Sequence, residues 1–187
     1  MGMRFLVAVT AATLIAGCRE QAAEQNDTLV SANSPAVVEP TAERTNAVLG
    51  PAVSGEAAKT LMHDRHEGME DIGDAFKIVG RETKAANLDV NAVREAAAVI
   101  ADGAEKSSTW FAPGTGPDVG KTRAKAEIWQ KPEDFAAKDE AFLSAARAFR
   151  AAADSGDVAA IKARAGDLGK TCKACHDNYR AEEDEHD

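Results

Sequence analysis

The chain has 187 residues, which is the length of one ordinary domain with short additions and leaves little room for two independent cores. Hydrophobic residues make up 44% of it and aromatic residues only 5%, and alanine is abundant, so the composition favours helices over sheets. The formal net charge of -9 argues against nucleic-acid binding, because a phosphate backbone requires a basic surface, and it favours basic partner proteins over polyanions.

Residues 1–17 have the layout of an export signal. Arg4 precedes an apolar run over residues 5–16, which is too short to span a bilayer as a stable helix. The run ends in the letters LIAGC, which resemble the bacterial lipobox, a signal whose cysteine is acylated. We therefore predict a lipoprotein signal peptide over residues 1–17 and a lipid anchor at Cys18 that holds a periplasmic protein on a membrane. The alternative is an ordinary signal peptide, or an N-terminal membrane anchor, whose cysteine is coincidental.

Residues 18–55 read as the lipidated cysteine followed by a flexible linker. The stretch is rich in Ala, Glu, Asn, Thr, Ser and Pro and has no sustained apolar period. Such a composition cannot bury enough apolar surface to form a core of its own. We predict a disordered tether here, and a folded domain over residues 56–187.

Two amphipathic helices are predicted after the tether. Between Glu56 and Val79, apolar residues recur close to the 3.6-residue period of a helix with one buried face. Asp89 is a good N-cap, and an apolar stripe follows it until the pair Asp102-Gly103, which predicts a second helix over residues 89–108.

A long irregular stretch, dense in Gly and Pro, reaches Trp129 and separates these helices from two more. Pro132 suits a first helical turn, and the stripe after it predicts a third helix to Ala153. A fourth stripe runs from Val158 to Tyr179 and is followed by an acidic tail over Glu182 to Asp187, which we expect to face solvent. No strand pattern is present. Four helices with two short connections and one long one predict an all-α fold, an antiparallel four-helix bundle.

The segment CKACH over residues 172–176 has the C-x-x-C-H spacing of covalent haem attachment. On a helix, cysteines three residues apart project on the same side and reach the two vinyl groups of one haem edge, while the adjacent histidine lies under the iron. A redox dithiol would expect a strand-helix context, and a zinc site would need further ligands. We therefore predict one haem c, held covalently by Cys172 and Cys175, with His176 as an iron ligand.

Further motifs resemble the class II cytochromes c, the cytochrome c′ family. They are the ending C-x-x-C-H-x-x-Y-R over residues 172–180, the letters FAPGT over residues 111–115, and EIW over residues 127–129 followed by Phe135. The resemblance covers roughly residues 57–181. The family fold is a left-handed four-helix bundle with haem near one end, which agrees with the independent helix prediction.

The resemblance also implies roles for individual residues around the haem. His176 is the proximal iron ligand, and Arg180, one turn later, lies beside the proximal face. Arg65 pairs with a haem propionate. Met69, four residues after Arg65, falls on the same helical face at the distal position, over the sixth coordination site. A methionine there either ligates the iron or only fills space as part of an apolar stripe, and we favour ligation because a thioether is a suitable axial ligand.

Two hypotheses for function follow from these assignments. The first is a periplasmic one-electron carrier, ligated by His176 and Met69, that exchanges electrons with redox partner proteins. The alternative is a five-coordinate cytochrome c′ that binds nitric oxide or carbon monoxide as a gas-binding or sensing module. An enzyme such as a peroxidase would need a distal base or polar donor, and the distal stripe offers none, so we predict no enzymatic activity. The resemblance implies a homodimer through the first two helices.

The remaining histidines and aromatic residues are assigned structural positions. His63, His66 and His186 are expected to face solvent. The larger aromatic side chains are expected to pack the bundle and the long loop against the haem and the core: Trp110, Trp129, Phe135 and Phe142.

Overall fold

The computed structural model describes residue 46 and residues 49–182. Residues 50–182 contain five helices, which are α1 (Gly55–Glu82), α2 (Val90–Ser107), α3 (Glu127–Gln130), α4 (Pro132–Ser155) and α5 (Val158–Tyr179). The described residues form no strand, and their one bridge of the β type joins Ala124 to Arg180. The predicted all-α fold is confirmed. Within the same residues, no helix is both long and apolar enough to cross a membrane.

The four long helices pack in an antiparallel order. Helix α1 lies against α2, α2 against α4, and α4 against α5. The direction of α2 and α4 is visible in their ion pairs, since Asp102 meets Arg150 at 2.8 Å and Glu105 meets Arg147 at 3.4 Å. As the residue number rises along α2 it falls along α4, which is the arrangement of neighbours in an up-down-up-down bundle.

Local signals in the sequence set the ends of these helices. The carboxylates of Asp89 and Asp157 accept hydrogen bonds from main-chain N–H groups in the first turns of α2 and α5. Pro132 begins α4, and Gly156 ends it in the left-handed conformation with φ 73°. The predicted boundaries lie within about three residues of the observed ones, as expected for ends fixed by caps.

Helix α3 was not predicted and is a finding of the structure. It is a single turn, Glu127–Gln130, within the stretch that we expected to be irregular as far as Trp129. A turn of this length is too short to show an apolar period, so the sequence pattern has no means of revealing it.

The core of the bundle is built from alanines between a few large side chains. Small residues such as Ala97, Ala146 and Ala153 are fully buried and let the helices approach, while Phe149 and Leu168 fill the space between them. The exposed faces carry the charged residues, so each helix has one buried stripe, as the periodicity predicts.

Helices α1 and α5 are also neighbours in the bundle. Among the long helices of the described residues, this neighbouring pair alone does not pack closely along its length. They meet at Phe76 and Gly169, where a methyl group added to the glycine would lie 3.2 Å from Cζ of Phe76. Towards the start of α1 and the end of α5, the facing side chains are only partly buried. The bundle is therefore open between these two helices at the end that carries the C-x-x-C-H motif.

The segment before α1 packs against the bundle. Leu49 is 6% exposed and belongs to the core, and the N–H of Val53 donates to the carbonyl of Pro113 at 2.8 Å. Gly114 has φ 92°, and a side chain there would collide with the carbonyl oxygen of Val53. The packed structure thus begins before the boundary at residue 56 that composition indicates. The predicted signal peptide, Cys18 and the predicted tether up to residue 45 lie outside the described residues.

Candidate haem-binding site

The C-x-x-C-H motif occupies the last two turns of α5. Cys172 and Cys175 are half-buried, are not bonded to each other, and pack against the edge of the core. His176 is exposed at the surface of the same helix. Both thiols and the imidazole therefore lie at the end of the bundle that is open between α1 and α5.

The antiparallel packing of α1 and α5 brings Met69 to the level of His176. Met69 stands seven residues before Phe76, and His176 stands seven residues after Gly169, the two positions where the helices meet. At a rise of 1.5 Å per residue, both lie about 10 Å from that contact along the bundle. Met69 is half-buried and packs against the hydrophobic core. The structure thus places these two predicted iron ligands on the same layer of the bundle.

Arg65 lies one turn before Met69 and is 5% exposed. Its guanidinium donates four hydrogen bonds, all to neutral oxygens: the carbonyls of Trp110 (3.3 Å) and Thr115 (3.0 Å), and the hydroxyls of Thr115 (3.1 Å) and Thr122 (2.9 Å). No carboxylate of the described residues pairs with it. Because the cation is buried without a counter-ion, the desolvation lowers the pKa of Arg65 to about 10.

The long connection between α2 and α4 folds around this arginine. The guanidinium carbon lies 5.1 Å from the ring centre of Phe111 and 6.0 Å from that of Trp129, within cation–π range. The indole N–H of Trp129 donates to the carbonyl of Phe111 at 3.0 Å. The FAPGT segment, which the sequence marks only as a family motif, thus forms part of the pocket that holds Arg65, through Phe111 and Thr115.

Burial shifts the pKa of each group in the C-x-x-C-H motif. It raises the pKa of the Cys172 thiol, and it raises that of Cys175 to about 11, with a smaller contribution from the Asp139 carboxylate. The side chain of His176 is exposed on one side, and desolvation on its other side is the main effect that lowers its pKa; the neighbouring Arg180 and Arg123 lower the pKa further. Both thiols are therefore neutral at pH 7, and the imidazole favours the neutral form that a metal requires.

Arg180 follows the last turn of α5 and is exposed. Its main chain is extended, with φ -112°, and its N–H donates to the carbonyl of His176 at 3.1 Å. Together with Arg123 and Lys125, it lines a shallow groove beside His176. The family resemblance implies that Arg180 lies beside the proximal histidine, whereas Arg123 and Lys125 were not predicted. The signal was available, because KTRAK over residues 121–125 is a basic run in an acidic chain.

Two carboxylates near the thiols also escaped the sequence analysis. The hydroxyl of Ser107 donates to Asp139 at 2.5 Å, and the hydroxyl of Tyr179 donates to Asp134. Burial raises the pKa of Asp139 and, with the contact to Asp134, that of Tyr179. A helical stripe does not reveal such pairs, because each joins residues on different helices.

The other histidines of the described part lie on the outer surface of α1, as expected. His63 approaches Glu67 at 3.9 Å and His66 approaches Glu70 at 3.5 Å. His186 lies outside the described residues. Trp110, Phe135 and Phe142 are buried, which fits the packing role expected of them.

The donor set fits a covalently held haem. Two thiols three residues apart lie at the open end of the bundle, an imidazole follows them, and a buried cation without an acid partner lies one turn from Met69. Such a cation would provide a partner for the carboxylate of a haem propionate, and the partly buried apolar side chains would suit a porphyrin face. Fold and site together define a c-type cytochrome built on a four-helix bundle.

Comparison with known proteins gives the family. The cytochrome c′ family model matches residues 60–180, and the chain belongs to this family. Cytochrome c′ proteins carry covalently bound haem c, and this chain is a monohaem c-type cytochrome. The predicted resemblance to class II cytochromes c is confirmed.

Bacterial relatives named cytochrome c′ align with different shares of the chain. The protein of Rhodospirillum rubrum is 37% identical over 133 residues, 71% of this chain and 84% of its own. That of Allochromatium vinosum is 41% identical over 73 residues, 38% of this chain and 47% of its own. With the latter relative and with those of Alcaligenes xylosoxydans and Cereibacter sphaeroides, the chain spans about half the length of the protein it matches.

Solved structures of cytochrome c′ share the fold. The protein of Thermochromatium tepidum has 32% identity and a TM-score of 0.62, covering 67% of this chain and 97% of its own. A cytochrome c′ described by its ligand-controlled dimer dissociation has 30% identity and a TM-score of 0.63, covering 68% and 99%. A nitric oxide complex of a variant from Alcaligenes xylosoxidans has 28% identity and a TM-score of 0.60, covering 67% and 97%. The four-helix bundle is thereby confirmed.

Proposed function

We propose that Cys172 and Cys175 hold the haem by two thioether bonds and that His176 is its proximal ligand. Haem c supplies an iron that changes between the ferrous and ferric states and binds small gas molecules at an open site. The support is the position of these side chains at the opening between α1 and α5, and the neutral state of the two thiols and the imidazole. In this arrangement, Arg65 holds a propionate and Arg180 lies beside the proximal face.

The function that this site supports best is the binding of nitric oxide or carbon monoxide. The observation that carries it is the position of Met69, level with His176 and packed into apolar surroundings on the distal side. An apolar side chain over the sixth site excludes water and larger ligands but yields to a diatomic gas. A variant of a related cytochrome c′ forms a nitric oxide complex, which favours this alternative over the electron carrier that we placed first.

One-electron transfer remains the second candidate, and the same residue carries it. If the sulfur of Met69 reaches the iron, the sixth site is closed, the iron is low-spin, and its potential rises towards values that suit an electron carrier. The two functions thus differ in one contact, that between Met69 and the iron.

An optical spectrum of the holoprotein in both redox states separates the two candidates. For gas binding we expect a high-spin ferric spectrum, rapid binding of carbon monoxide to the ferrous protein, and no near-infrared sulfur-to-iron band. Met69→Leu should then leave the spectrum unchanged, because bulk is kept, and Met69→Ala should accelerate carbon monoxide binding by roughly tenfold or more, since about 1.4 kcal/mol of barrier corresponds to that factor.

The control is Met62→Leu, a second half-buried methionine of α1 whose methyl group lies near Gly120 rather than on the layer of His176. It should change neither the spectrum nor the rate. If the wild type is low-spin and Met69→Leu converts it to high-spin, the proposed function is electron transfer and not gas binding. In either case the haem should stay with the chain in acidified organic solvent, and clean extraction would overturn both thioether assignments.

Location and assembly are proposed from the sequence and the relatives. We propose a periplasmic protein, anchored to a membrane through Cys18 after removal of residues 1–17, with no catalytic activity. We also propose a homodimer that packs α1 and α2 of one protomer against those of its partner. The ligand-controlled dimer of a related cytochrome c′ supports the dimer.

A further inference from the structure

The groove beside His176 has a charge opposite to that of the chain as a whole. Arg123, Lys125 and Arg180 line it, together with Asp177 and Glu182. Asp177 is neutralised within α5, since Lys173 contacts both of its carboxylate oxygens at 2.7 and 2.8 Å. The groove is therefore a basic surface on a protein whose net charge is -9.

We propose that this basic groove is a docking surface whose occupant is the chain's own acidic segment, residues 183–187. The segment reads EDEHD, so four of its five residues are acidic, and it lies outside the described residues. It follows directly on Glu182, which is itself part of the groove lining. The proposal departs from our expectation of a tail that only faces solvent.

The main chain leading to this segment is fixed against one wall of the groove. The N–H of Ala181 donates to the carbonyl of Arg123 at 2.8 Å, and the side chain of Arg123 donates back to the carbonyl of Ala181 at 3.0 Å. The N–H of Lys125 donates to the carbonyl of Tyr179 at 2.9 Å. These bonds hold the last described residues along the basic run, so the acidic segment starts at the groove and not at a distance from it.

Length and charge agree with docking in the groove. Five extended residues reach at most roughly 17 Å, enough to cross a shallow groove that begins at the preceding residue. Because the attachment is fixed, the acidic side chains are present at a high local concentration, and an anion from solution must compete with them. The segment therefore screens the proximal side of the haem from anions and acidic partners.

Electron exchange with a small anion tests the proposal on the holoprotein. The variant is Glu183→Gln, Asp184→Asn, Glu185→Gln and Asp187→Asn, and the probe is hexacyanoferrate(III), which takes one electron from the ferrous haem and becomes hexacyanoferrate(II). We expect oxidation to become roughly three- to tenfold faster at an ionic strength of about 0.1 M. The gain should vanish in about 0.5 M potassium chloride, where charges are screened within a few ångströms.

A matched control separates docking from net charge. Four exposed carboxylates at the other end of the bundle are neutralised in the same way: Asp89, Glu95, Asp154 and Asp157. Asparagine caps a helix as well as aspartate does, so the changes at Asp89 and Asp157 keep both N-caps. We expect this variant to accelerate the anionic probe by less than about twofold at an ionic strength of about 0.1 M, because its charges lie farther from the groove than the Debye length of about 10 Å. Equal acceleration by both variants would overturn the proposal, since net charge alone would then explain the effect.

A carbodiimide cross-link gives a readout that does not depend on the haem. In the wild type we expect an amide bond between the Lys125 amine and a carboxyl group of residues 183–187, identified by mass spectrometry. A groove that cross-links only to an added acidic protein, and never to this segment, would overturn the proposal.

Discussion

Arg65 shows how a buried cation organises the residues around a cofactor. Its four hydrogen bonds reach three residues that lie 45, 50 and 57 positions away in the chain. All acceptors are neutral, so the positive charge remains available for a propionate. The sequence predicts that Arg65 approaches the haem, because it lies one turn from Met69, but pairing with Thr115 and Thr122 depends on how a loop folds.

Asp139 gives a prediction for the pH dependence of stability. Its pKa is raised above 3.8, chiefly by burial, so ionisation of the carboxyl group costs more in the folded than in the unfolded state. The resulting loss of stability is fully present at pH 7, where the carboxyl group is ionised in both states. It decreases as the pH falls through the pKa of the folded state, and it disappears below 3.8, where the group is protonated in both states. Asp139→Asn should therefore raise the free energy of unfolding at pH 7, and this gain should shrink towards zero at lower pH. Urea unfolding followed by circular dichroism measures the gain at pH 7 and its decrease at lower pH.

The amide suits this position because its NH₂ can donate to the hydroxyl of Ser107, which lies 2.9 Å from the carbonyl of Ala104. Asp102→Asn is the control. That carboxylate is exposed and pairs with Arg150 at 2.8 Å, so its loss should give no gain at pH 7. An Asp139→Asn protein that is less stable than the wild type at pH 7 would show that the ionised carboxylate is well accommodated.

At the scale of the helix, two glycines of α1 predict opposite effects of the same substitution. A methyl group at Gly68 would lie 2.4 Å from a ring carbon of Trp110, whose side chain is buried. We expect Gly68→Ala to destabilise the protein by about 1–3 kcal/mol, the usual cost of overpacking. Gly73 has no atom within 4 Å of such a methyl group, so Gly73→Ala should stabilise by about 0.5–1 kcal/mol through helix propensity.

Chemical denaturation of the two holoproteins measures these changes under identical conditions. If both substitutions increased the free energy of unfolding, the contact between α1 and Trp110 would not be tight. The pair also reports on the site, because Gly68 precedes Met69 and a displaced α1 should alter the haem spectrum in Gly68→Ala alone.

Helices were predictable here because their signals are local. An apolar period and a cap such as Asp89 or Asp157 lie within a few residues of the helix they define. The turn of α3 and the path of the loop around Arg65 have no comparable local signal. They are decided by contacts between distant residues, such as the bond from Trp129 to Phe111.

The same distinction applies to the site as a whole. Cys172, Cys175 and His176 are adjacent in sequence, so the motif alone indicates haem. The opening between α1 and α5, and the layer that Met69 shares with His176, follow from the register of two helices a hundred residues apart. Arg123 and Lys125 join the groove through a main-chain pairing with the end of α5 that no period reveals.

At the scale of the whole molecule, the sequence predicts that Cys18 attaches the protein to a membrane. Cys18→Ser removes the sulfur that would be acylated, so the variant should move from the membrane fraction to the soluble fraction while keeping its haem spectrum. Immunoblots of both fractions, for the wild type and the variant, measure this. Equal partitioning of the two into the soluble fraction would show that the cysteine is not an anchor.

The connection between α2 and α4 has a consequence for cutting and rejoining the chain. It holds both ends of the described structure by main-chain hydrogen bonds, Val53 through Pro113 and Ala181 through Arg123. Breaking the peptide chain there would release the N-terminal segment, the C-terminal segment and the pocket of Arg65 together. The turn over residues 83–89 is short, and its described bonds join mainly near neighbours. In a circular permutation, the longest loop of this bundle is therefore the worst place for new termini and the short turn is the better one.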